Sequence, residues 1–551
     1  MKKLICLLLV ACFMVAALVS CAGAGEEGSG SEGGSDGANG GANGGAATTV
    51  KVTNEFGEES FSSVVPVGEL DFEGKTLTIL HRDSLPVQRE WYKDEDDGEK
   101  DDLDEAIAMR NEMIASELNI EVQYIPMASS RYEDCVSQFS EAIASDVTGG
   151  MHTYDIVANY AAAGALDSLR DYFANMADKD LFPYFEFSLP CWNQAIVKTT
   201  KVNDKLFYIT GDLNLSTFDK TMVVFLNKKV YNDMKQSGDP DDLQDLALEG
   251  YDVAAKKGKA GGFTYDDLYA WSTRVKEDNG TDGYQHDDIH GISADFSSIP
   301  LDALPYAWDL DYLVENADKS HSYNIVGNNK IEEAIGKAQA LLNGQISSGV
   351  CNDDRTGGCE LGGYSEPITH FAKDKSVFAL HILYCTEDDN NMMRTMESEY
   401  GLLPMPKYDK DQIDYGTTAH DAYTLMTVLN HTQGEPTDGK MVSAYLQLST
   451  EESYTNVRGY YINRIVKPKY FGTSESVSKS VDIFNIIADN VEFTFISVYA
   501  PQLNNVLNTC WREVVNGEHS SGATTAADAY AADQSNFDGK LDAVDQWLGL
   551  K

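Results

Sequence analysis

The first strongly patterned part of the chain alternates apolar and polar positions over 75–80 (KTLTIL), which is typical of a half-buried β-strand. A helix is predicted next, because apolar residues recur at helical spacing at Leu103, Ile107, Ile114 and Leu118. The pattern then predicts a strand over 120–125, a helix over 132–144 and a strand over 154–158. Strands and helices that alternate in this way indicate an α/β fold with a mostly parallel sheet.

A second α/β region is predicted after residue 205. Two apolar runs, 206–210 and 221–226, are separated by a polar stretch. The pattern then predicts helices over 265–275, 301–314 and 331–342, strands over 289–293, 376–383, 401–406 and 422–429, and mostly helix over 441–515. Roughly 500 residues exceed what one hydrophobic core usually supports, so we expect two lobes between which the chain passes more than once.

The amino-terminal segment has the pattern of an export signal. Lys2 and Lys3 precede an apolar run over 4–19, which is too short for a stable membrane-spanning helix. Residues 18–21 (LVSC) resemble the lipobox of bacterial lipoproteins, in which a peptidase cuts before the cysteine and the thiol is acylated. An ordinary signal peptide with a chance cysteine is the alternative.

The stretch that follows strengthens the lipoprotein interpretation. Residues 22–47 are almost entirely Gly, Ala, Ser, Glu and Asn, which cannot build a core and are typical of a flexible tether. We therefore expect a signal peptide over 1–20, then a lipidated Cys21 and a tether over 21–60. The protein would then be held by lipid at the extracellular face of the cell membrane.

Composition narrows the classes of function and of site. The formal net charge is −46, and removal of the two lysines with the signal makes it more negative, which argues against nucleic-acid binding. The hydrophobic content of 42% excludes a disordered acidic chain. No CxxC motif or His-rich cluster suggests a zinc site. Cys351 and Cys359 are a close pair that could form a disulfide after export, although the cysteines beyond Cys21 could equally stay reduced.

Short segments in a consistent order carry a family resemblance. They are 71–75 (DFEGK), 104–107 (DEAI) with 109–111 (MRN), 154–157 (YDIV), 190–193 (PCWN), 208–212 (YITGD), 225–228 (FLNK), 263–268 (FTYDDL) and 400–408 (YGLLPMPKY). From about residue 71 onwards the chain resembles the extracellular solute-binding proteins of ABC importers, the family that includes maltose- and oligosaccharide-binding proteins.

The resemblance implies a two-lobed binding-protein fold that closes on a ligand held between the lobes. We expect the first lobe to comprise 70–205 and 370–415, and the second to comprise 206–369 and 416–551. It also implies a monomer that captures a small polar ligand, for which we expect an oligosaccharide, and delivers it to the permease subunits of an ABC importer. No cofactor is expected.

Candidate ligand residues follow from the rule that ligands lie outside the carboxyl ends of open α/β sheets. A sugar site needs aromatic faces together with fixed carboxylates or amides. Residues of these types at predicted strand ends and crossovers are Arg82, Asp83, Tyr160, Asp212, Asn214, Trp308, Tyr384, His420, Asp421 and Tyr423. Core packing is the alternative for Trp308 and Tyr384, a turn cap for Asp212, and a local hydrogen bond for His420.

One acidic segment resembles a degenerate calcium loop. Asp278 and Asp282 precede Gly283 at the spacing of oxygen ligands, and Asp287 and Asp288 follow. Gly280 supplies no ligand, and Ile289 occupies the position of the closing bidentate acid. A polar turn between a helix and a strand is the alternative to a Ca²⁺ site.

Other functions remain as alternatives to oligosaccharide import. The ligand could be a peptide or a cationic metabolite, which the negative charge mildly favours. The chain could also be a surface module that binds or senses glycans without transport. We do not expect an enzyme, because no G-x-S-x-G elbow, H-E-x-x-H helix, P-loop or dinucleotide fingerprint is present.

Overall fold

The computed structural model describes 51–53, 59–61, 63–84, 87–92, 100–128, 131–165, 171–274, 288–295, 299–343, 350–352, 366–386, 393, 396–431, 437–466 and 474–551. All of these residues belong to one compact unit, Thr49–Lys551. Within the described residues, no helix combines the length and apolar character that a membrane span requires.

The strands are, in chain order, β1 (Lys51–Thr53), β2 (Glu59–Phe61), β3 (Lys75–Arg82), β4 (Ile120–Met127), β5 (Ile156–Tyr160), β6 (Met222–Asn227), β7 (Tyr251–Asp252), β8 (Lys257–Gly258), β9 (His290–Ala294), β10 (Leu313–Glu315), β11 (His321–Tyr323), β12 (Val350–Asn352), β13 (Ser376–Ile382), β14 (Tyr400–Leu403) and β15 (Thr424–Val428).

The α-helices are α1 (Asp102–Leu118), α2 (Tyr132–Gly149), α3 (Ala161–Gly164), α4 (Gln194–Thr200), α5 (Ser216–Asp219), α6 (Lys228–Met234), α7 (Leu243–Glu249), α8 (Tyr265–Arg274), α9 (Ile299–Ala307), α10 (Asn329–Asn343), α11 (Glu366–Ala372), α12 (Gly439–Glu452), α13 (Arg458–Val466), α14 (Ser474–Asp489), α15 (Phe495–Val498), α16 (Glu513–Asn516), α17 (Ala526–Ala532) and α18 (Gln534–Leu548). Short 3₁₀-helices lie at Val87–Glu90 and Leu383–Thr386, and π-helical turns lie at Ser453–Val457 and Asn508–Arg512.

The first lobe is built on a sheet with the strand order β15-β5-β3-β4. Strand β3 runs parallel to both β4 and β5, as the strand–helix–strand order predicts, and β15 closes one edge in the antiparallel direction. Every residue of β5 is buried, because this central strand is covered on both faces. Helix α1 begins at a capping box formed by Asp101 and Asp104, which satisfies backbone donors of its first turn.

The second lobe is built on a mixed sheet with the strand order β12-β9-β13-β6-β14. Strand β13 pairs in parallel with β9 and antiparallel with β6. The expected ranges placed 370–415 in the first lobe and 416–551 in the second. Strand pairing requires a correction, because β13 and β14 belong to the second sheet and β15 belongs to the first.

One predicted helix is shorter than expected. The segment 301–314 was predicted to be helical throughout, but α9 ends at Ala307 and β10 begins at Leu313. Asp309 adopts a left-handed conformation, with φ of 51°, which ends the helix and turns the chain into a hairpin. The predicted helices over 265–275 and 331–342 are confirmed as α8 and α10.

The chain passes between the lobes at three places. Ile209 pairs with Met426 at the edge of the first sheet, and the chain then enters β6 of the second lobe at Met222. The second passage runs from β14 to β15, and Ala419 within it pairs with Thr221 of the first passage. The third passage runs from α12, which packs on α1, through Ser453–Val457 and α13 to α14.

Candidate functional site

A buried carboxylate joins the first two passages between the lobes. Glu90 is fully buried, and its side chain accepts hydrogen bonds from Ser216 N at 2.7 Å, Thr424 Oγ1 at 2.7 Å and Asn214 Nδ2 at 3.3 Å. Burial raises the pKa of Glu90, and these hydrogen bonds partly offset the rise. Because all three partners donate, a carboxylate satisfies them without a proton of its own.

A buried arginine ties the third passage to the same place. Arg110 Nη2 donates to the Glu90 backbone carbonyl at 2.7 Å, and Arg110 Nη1 donates to Ser453 Oγ at 2.9 Å. Arg458 of α13 pairs with Asp212 of the first passage at 3.3 Å. Polar contacts therefore connect the three passages, and we call this set of residues the hinge network.

Two expected ligand residues belong to the hinge network. Asn214 is fully buried and contacts Glu90, while Asp212 is nearly buried and pairs with Arg458. Both side chains are engaged inside the protein, and their role in ligand binding stays a prediction. The strand-end rule placed them close to the interlobe region, but it does not show which way a side chain points.

The first lobe presents an ionised carboxylate where β5 and β15 meet. Asp421 Oδ1 accepts a hydrogen bond from Tyr160 OH at 2.7 Å and lies 2.9 Å from His420 Nδ1. Burial acts to raise the pKa of Asp421, but its contacts with His420 and Tyr160 and the charge of Arg82 lower it overall. The side chain is 53% exposed, so a charged acceptor faces outward here.

Arg82, which is buried, contacts the residues around Asp421 from inside the first lobe. Its Nη2 donates to the Ala422 carbonyl at 2.6 Å, and its guanidinium lies 5.0 Å from the centre of the Tyr160 ring. Burial and the charge of Asp421 raise the pKa of the Tyr160 hydroxyl, which therefore keeps its proton and donates a hydrogen bond to Asp421. The sequence-based residues Arg82, Tyr160, His420 and Asp421 are thus brought together.

The second lobe faces these residues with a pair of charges and with aromatic rings. Arg512 Nε donates to Asp302 Oδ1 at 2.8 Å and a second bond joins the same two groups, so the pair is bidentate. Both side chains are 28% exposed, and both lie within electrostatic range of Asp421. Tyr423 of the first lobe packs on Phe493 of the second, with ring centroids 4.7 Å apart.

We call the space between these two surfaces the interlobe gap, and among the described residues it is small. Its cavity holds about 20 Å³, enough for about one water molecule. The cavity is lined by Ala161, Ala162, Ala419, Asp421, Tyr423, Phe493, Ser497 and Val498. The first lobe supplies the alanines of α3, and the second lobe supplies Ser497 and Val498 of α15 and Phe493 shortly before it.

The remaining expected ligand residues lie in three different settings. Asp83 is exposed at the end of β3. Tyr384 is half-buried next to the first passage, and Lys220 Nζ lies 4.8 Å from the centre of its ring. Trp308 is fully buried among Tyr265, Tyr408 and Trp511, so the expectation that it offers a face to a ligand is corrected.

Sequence reasoning missed Asp302, Arg512 and Phe493. Asp302 and Arg512 are 210 positions apart, and neither follows a strand, so no local pattern marks them as a pair. The only sequence signal was that Asp302 lies in the predicted helix over 301–314, which also contains Trp308. Glu90 gave no signal, because it stands in a polar stretch that lacks a periodic pattern.

Several expectations fall on residues outside the described part of the chain. Cys21, Asp278, Asp282, Asp287 and Cys359 all lie there, so neither the lipid anchor nor the calcium loop nor the disulfide is tested. Asp288 is described and buried, and Cys351 lies in β12. In the ranges that the structure covers, no group of three or more His, Cys, Asp or Glu side chains could hold a metal ion.

A second cavity lies in the second lobe and is lined by many acids. It holds about 410 Å³ between Asp309, Lys330, Tyr408, Asp409, Asp411, Gln412, Ile413, Asp414, Tyr415 and Glu492. Burial, together with the charges of Asp309, Asp311 and Asp414, raises the pKa of Glu492 to about 7. Ionisation of Glu492 near neutral pH therefore costs stability in the folded state.

The hinge network predicts a specific effect of Glu90→Gln. A glutamine amide would face groups that already donate, so the free energy of unfolding should fall by about 2 kcal/mol. Hydrogen exchange should increase in 212–221 and 419–424. Glu451→Gln is the matched control, because Glu451 is also buried but bonds to Gln447 within the first lobe. Equal exchange changes in both variants would contradict the assignment.

Glu492→Gln should change how stability depends on pH. The raised pKa means that the folded protein binds the Glu492 proton more tightly than the unfolded chain, so wild-type stability falls as pH rises from 4.5 to about 7. Thermal unfolding at pH 8 should show the variant more stable by about 2 kcal/mol, with no difference below pH 4.5. The exposed Asp411→Asn is the control, and a variant advantage that does not depend on pH would contradict the explanation.

Known proteins that resemble this chain are found among solved structures. No family model matches the chain, and no curated protein sequence matches it. Among solved structures, the sugar-binding protein MalE from the phytopathogen Xanthomonas citri is similar, with a TM-score of 0.52 and 12% identity over 86% of this chain and 99% of that chain. A cyclo/maltodextrin-binding protein complexed with maltotetraose gives a TM-score of 0.50 and 10% identity over 86% of this chain and 98% of that chain.

These likenesses extend over nearly the whole length of both solved chains. The chain therefore has the two-lobed α/β fold of these two sugar-binding proteins.

Proposed function

We propose that this protein captures an oligosaccharide in the interlobe gap and delivers it to an ABC importer. The observation that carries the proposal is Asp421, an ionised and half-exposed carboxylate held by Tyr160 and His420 at the point where the lobes meet. A carboxylate fixed in this way can accept hydrogen bonds from sugar hydroxyls. The similar solved proteins, which bind sugars, favour the same class of ligand.

The charges around the gap support an uncharged ligand over a cationic one. Asp302 is already paired with Arg512, and Asp421 lies within range of the positive charge of Arg82. Positive and negative groups are therefore balanced locally, although the whole chain is strongly acidic. A cationic ligand would meet no excess of negative charge among these residues, whereas a polyol could use both donors and acceptors.

Binding requires the lobes to separate and close again. A cavity of about 20 Å³ admits no sugar ring, so 419–423 of the first lobe and 493–498 of the second would move apart when ligand enters. Hinge closure around a ligand is a common motion of two-lobed binding proteins. Closure would leave Asp421 and Arg512 on opposite sides of the bound saccharide.

The ligand class is tested by thermal unfolding and calorimetric titration with maltose, maltotriose, maltotetraose, cellobiose and a basic tripeptide. One class of saccharide should stabilise the protein by about 2.7 kcal/mol at a concentration of 100 times its Kd. Asp421→Asn should weaken binding about ten- to one-hundred-fold, because it removes a charged acceptor. Asp180→Asn, an exposed change in the first lobe, is the control. Stabilisation by the tripeptide alone would refute the proposal.

We also propose that lipid at Cys21 anchors the protein outside the cell. The lipobox-like residues 18–21 and the glycine-rich stretch 22–47 support this arrangement, which would keep captured solute close to the importer. Mass spectrometry of the membrane-bound protein should find a diacylglyceryl group on Cys21. Cys21→Ser should release the protein into the medium, whereas Cys12→Ser, a change within the signal, should leave it on the membrane. An unmodified Cys21 in membrane-bound protein would refute the anchor.

A further inference from the structure

The last helix of the described chain reaches both lobes. We call α18 and the residues that follow it, 534–551, the strap. Asp545 of the strap is fully buried, accepts a hydrogen bond from His321 N at 2.8 Å and lies 2.7 Å from His321 Nδ1. Lys551 lies 3.5 Å from the same carboxylate. Because His321 belongs to the β10–β11 hairpin, these bonds fasten the strap to the second lobe.

The far end of the strap contacts the first lobe. Asn203 Nδ2 donates to the Gly549 carbonyl at 2.9 Å and to the Leu548 carbonyl at 3.3 Å. The last carbonyls of a helix have no partner within the helix, so a side-chain amide is a suitable donor for them. Gly549 has φ of 74° and ends α18, which turns these carbonyls towards Asn203.

Asn203 is firmly part of the first lobe. It follows α4, whose capping residue Asn193 donates its backbone N–H to the Thr210 carbonyl at 3.0 Å. A few residues later, Ile209 pairs with Met426 of β15. The two hydrogen bonds from Asn203 to the strap therefore cross from one lobe to the other.

The strap is also linked to the wall of the interlobe gap through His321, the partner of Asp545. The His321 ring stacks on Phe495, with centroids 4.0 Å apart and an interplanar angle of 29°. Phe495 begins α15, and Ser497 and Val498 of this helix line the gap. Close to the start of α15, the Phe493 carbonyl accepts a hydrogen bond from Thr199 Oγ1 of the first lobe at 2.5 Å. The strap, α15 and the segment 194–203 thus form one continuous contact between the lobes.

We propose that the strap is a latch that stabilises the closed arrangement of the lobes through Asn203. Opening the gap separates Asn203 from Leu548 and Gly549 and exposes the end of α18 to water. The latch acts at the edge of the gap and contacts no residue to which a ligand role is assigned. The inference rests on the proposed function only in that capture and release require the lobes to open.

Asn203→Gly tests the latch without straining the backbone. Asn203 has φ of 50°, a conformation that glycine adopts freely, so the variant removes the amide and keeps the turn. Loss of the two hydrogen bonds should shift the closed-to-open ratio about five-fold towards open. Asn203→Asp should shift the ratio further, because its carboxylate would face two carbonyl oxygens. A double variant that adds Thr199→Val removes the neighbouring bond as well.

Small-angle X-ray scattering of the full chain without ligand measures the effect. The radius of gyration should rise in the order wild type, Asn203→Gly, Asn203→Asp and the double variant. Asn536→Ala is the matched control, because Asn536 is exposed on the same helix and its side-chain amide donates to Asp533, which directly precedes that helix. It should scatter as wild type does.

The outcomes separate the latch from the proposed function. If all Asn203 variants scatter as wild type does, the latch is refuted, whether or not any saccharide binds. If the variants open but no saccharide in the panel returns them to the compact form, the latch stands and oligosaccharide capture fails. If Asn536→Ala opens the protein equally, the effect belongs to helix stability and the latch is refuted.

Discussion

The buried carboxylate of Glu90 is the constraint on which the arrangement of the lobes depends. It belongs to a 3₁₀-helix of the first lobe, yet its partners are a backbone amide at Ser216 and a hydroxyl at Thr424, one on each of two passages between the lobes. Removing a carboxylate from water is costly, so it persists only where several donors are fixed around it. These donors hold the two passages side by side.

The position of the interlobe gap follows from that fixed pair of passages. The second passage carries His420 and Asp421, and the first carries Lys220, whose carbonyl accepts a hydrogen bond from His420 N at 2.8 Å. Asp421 therefore starts at a defined point and projects towards α9 and α15 of the second lobe. The strap then brings the outer parts of the two lobes together at a distance from the hinge network, so each end of the gap has its own set of interlobe bonds.

Local patterns predicted the parts of the fold that local physics determines. The alternation in 75–80 and the helical spacing from Leu103 to Leu118 gave β3 and α1, because burial of one face imposes its period on the sequence. Residues at strand ends led to Tyr160 and Asp421, which the structure brings within a hydrogen bond. The same rule located Asn214 along the chain but did not indicate that its side chain bonds to Glu90, because it carries no information on side-chain direction.

The sequence patterns could not predict which distant segments of the chain pair with each other. Strand β13 has the apolar run of any buried strand, and nothing within it specifies that β6 and β9 are its partners, so its lobe was assigned incorrectly. Tryptophan is a residue type on which a sugar ring can stack, but Trp308 is surrounded by buried aromatic rings from three other segments. The pairing of Asp302 with Arg512 likewise arises only when distant parts of the second lobe fold together.

Saccharide binding in the interlobe gap is tested most directly by a crystal structure of the protein with the saccharide that binds most tightly in solution. If the interlobe gap is the binding site, electron density for the sugar should lie between 419–423 and 493–498. A sugar hydroxyl should be within hydrogen-bonding distance of Asp421, and the lobes should be further apart than in the present structure. Saccharide density at any other surface, with the gap unchanged, would contradict the account.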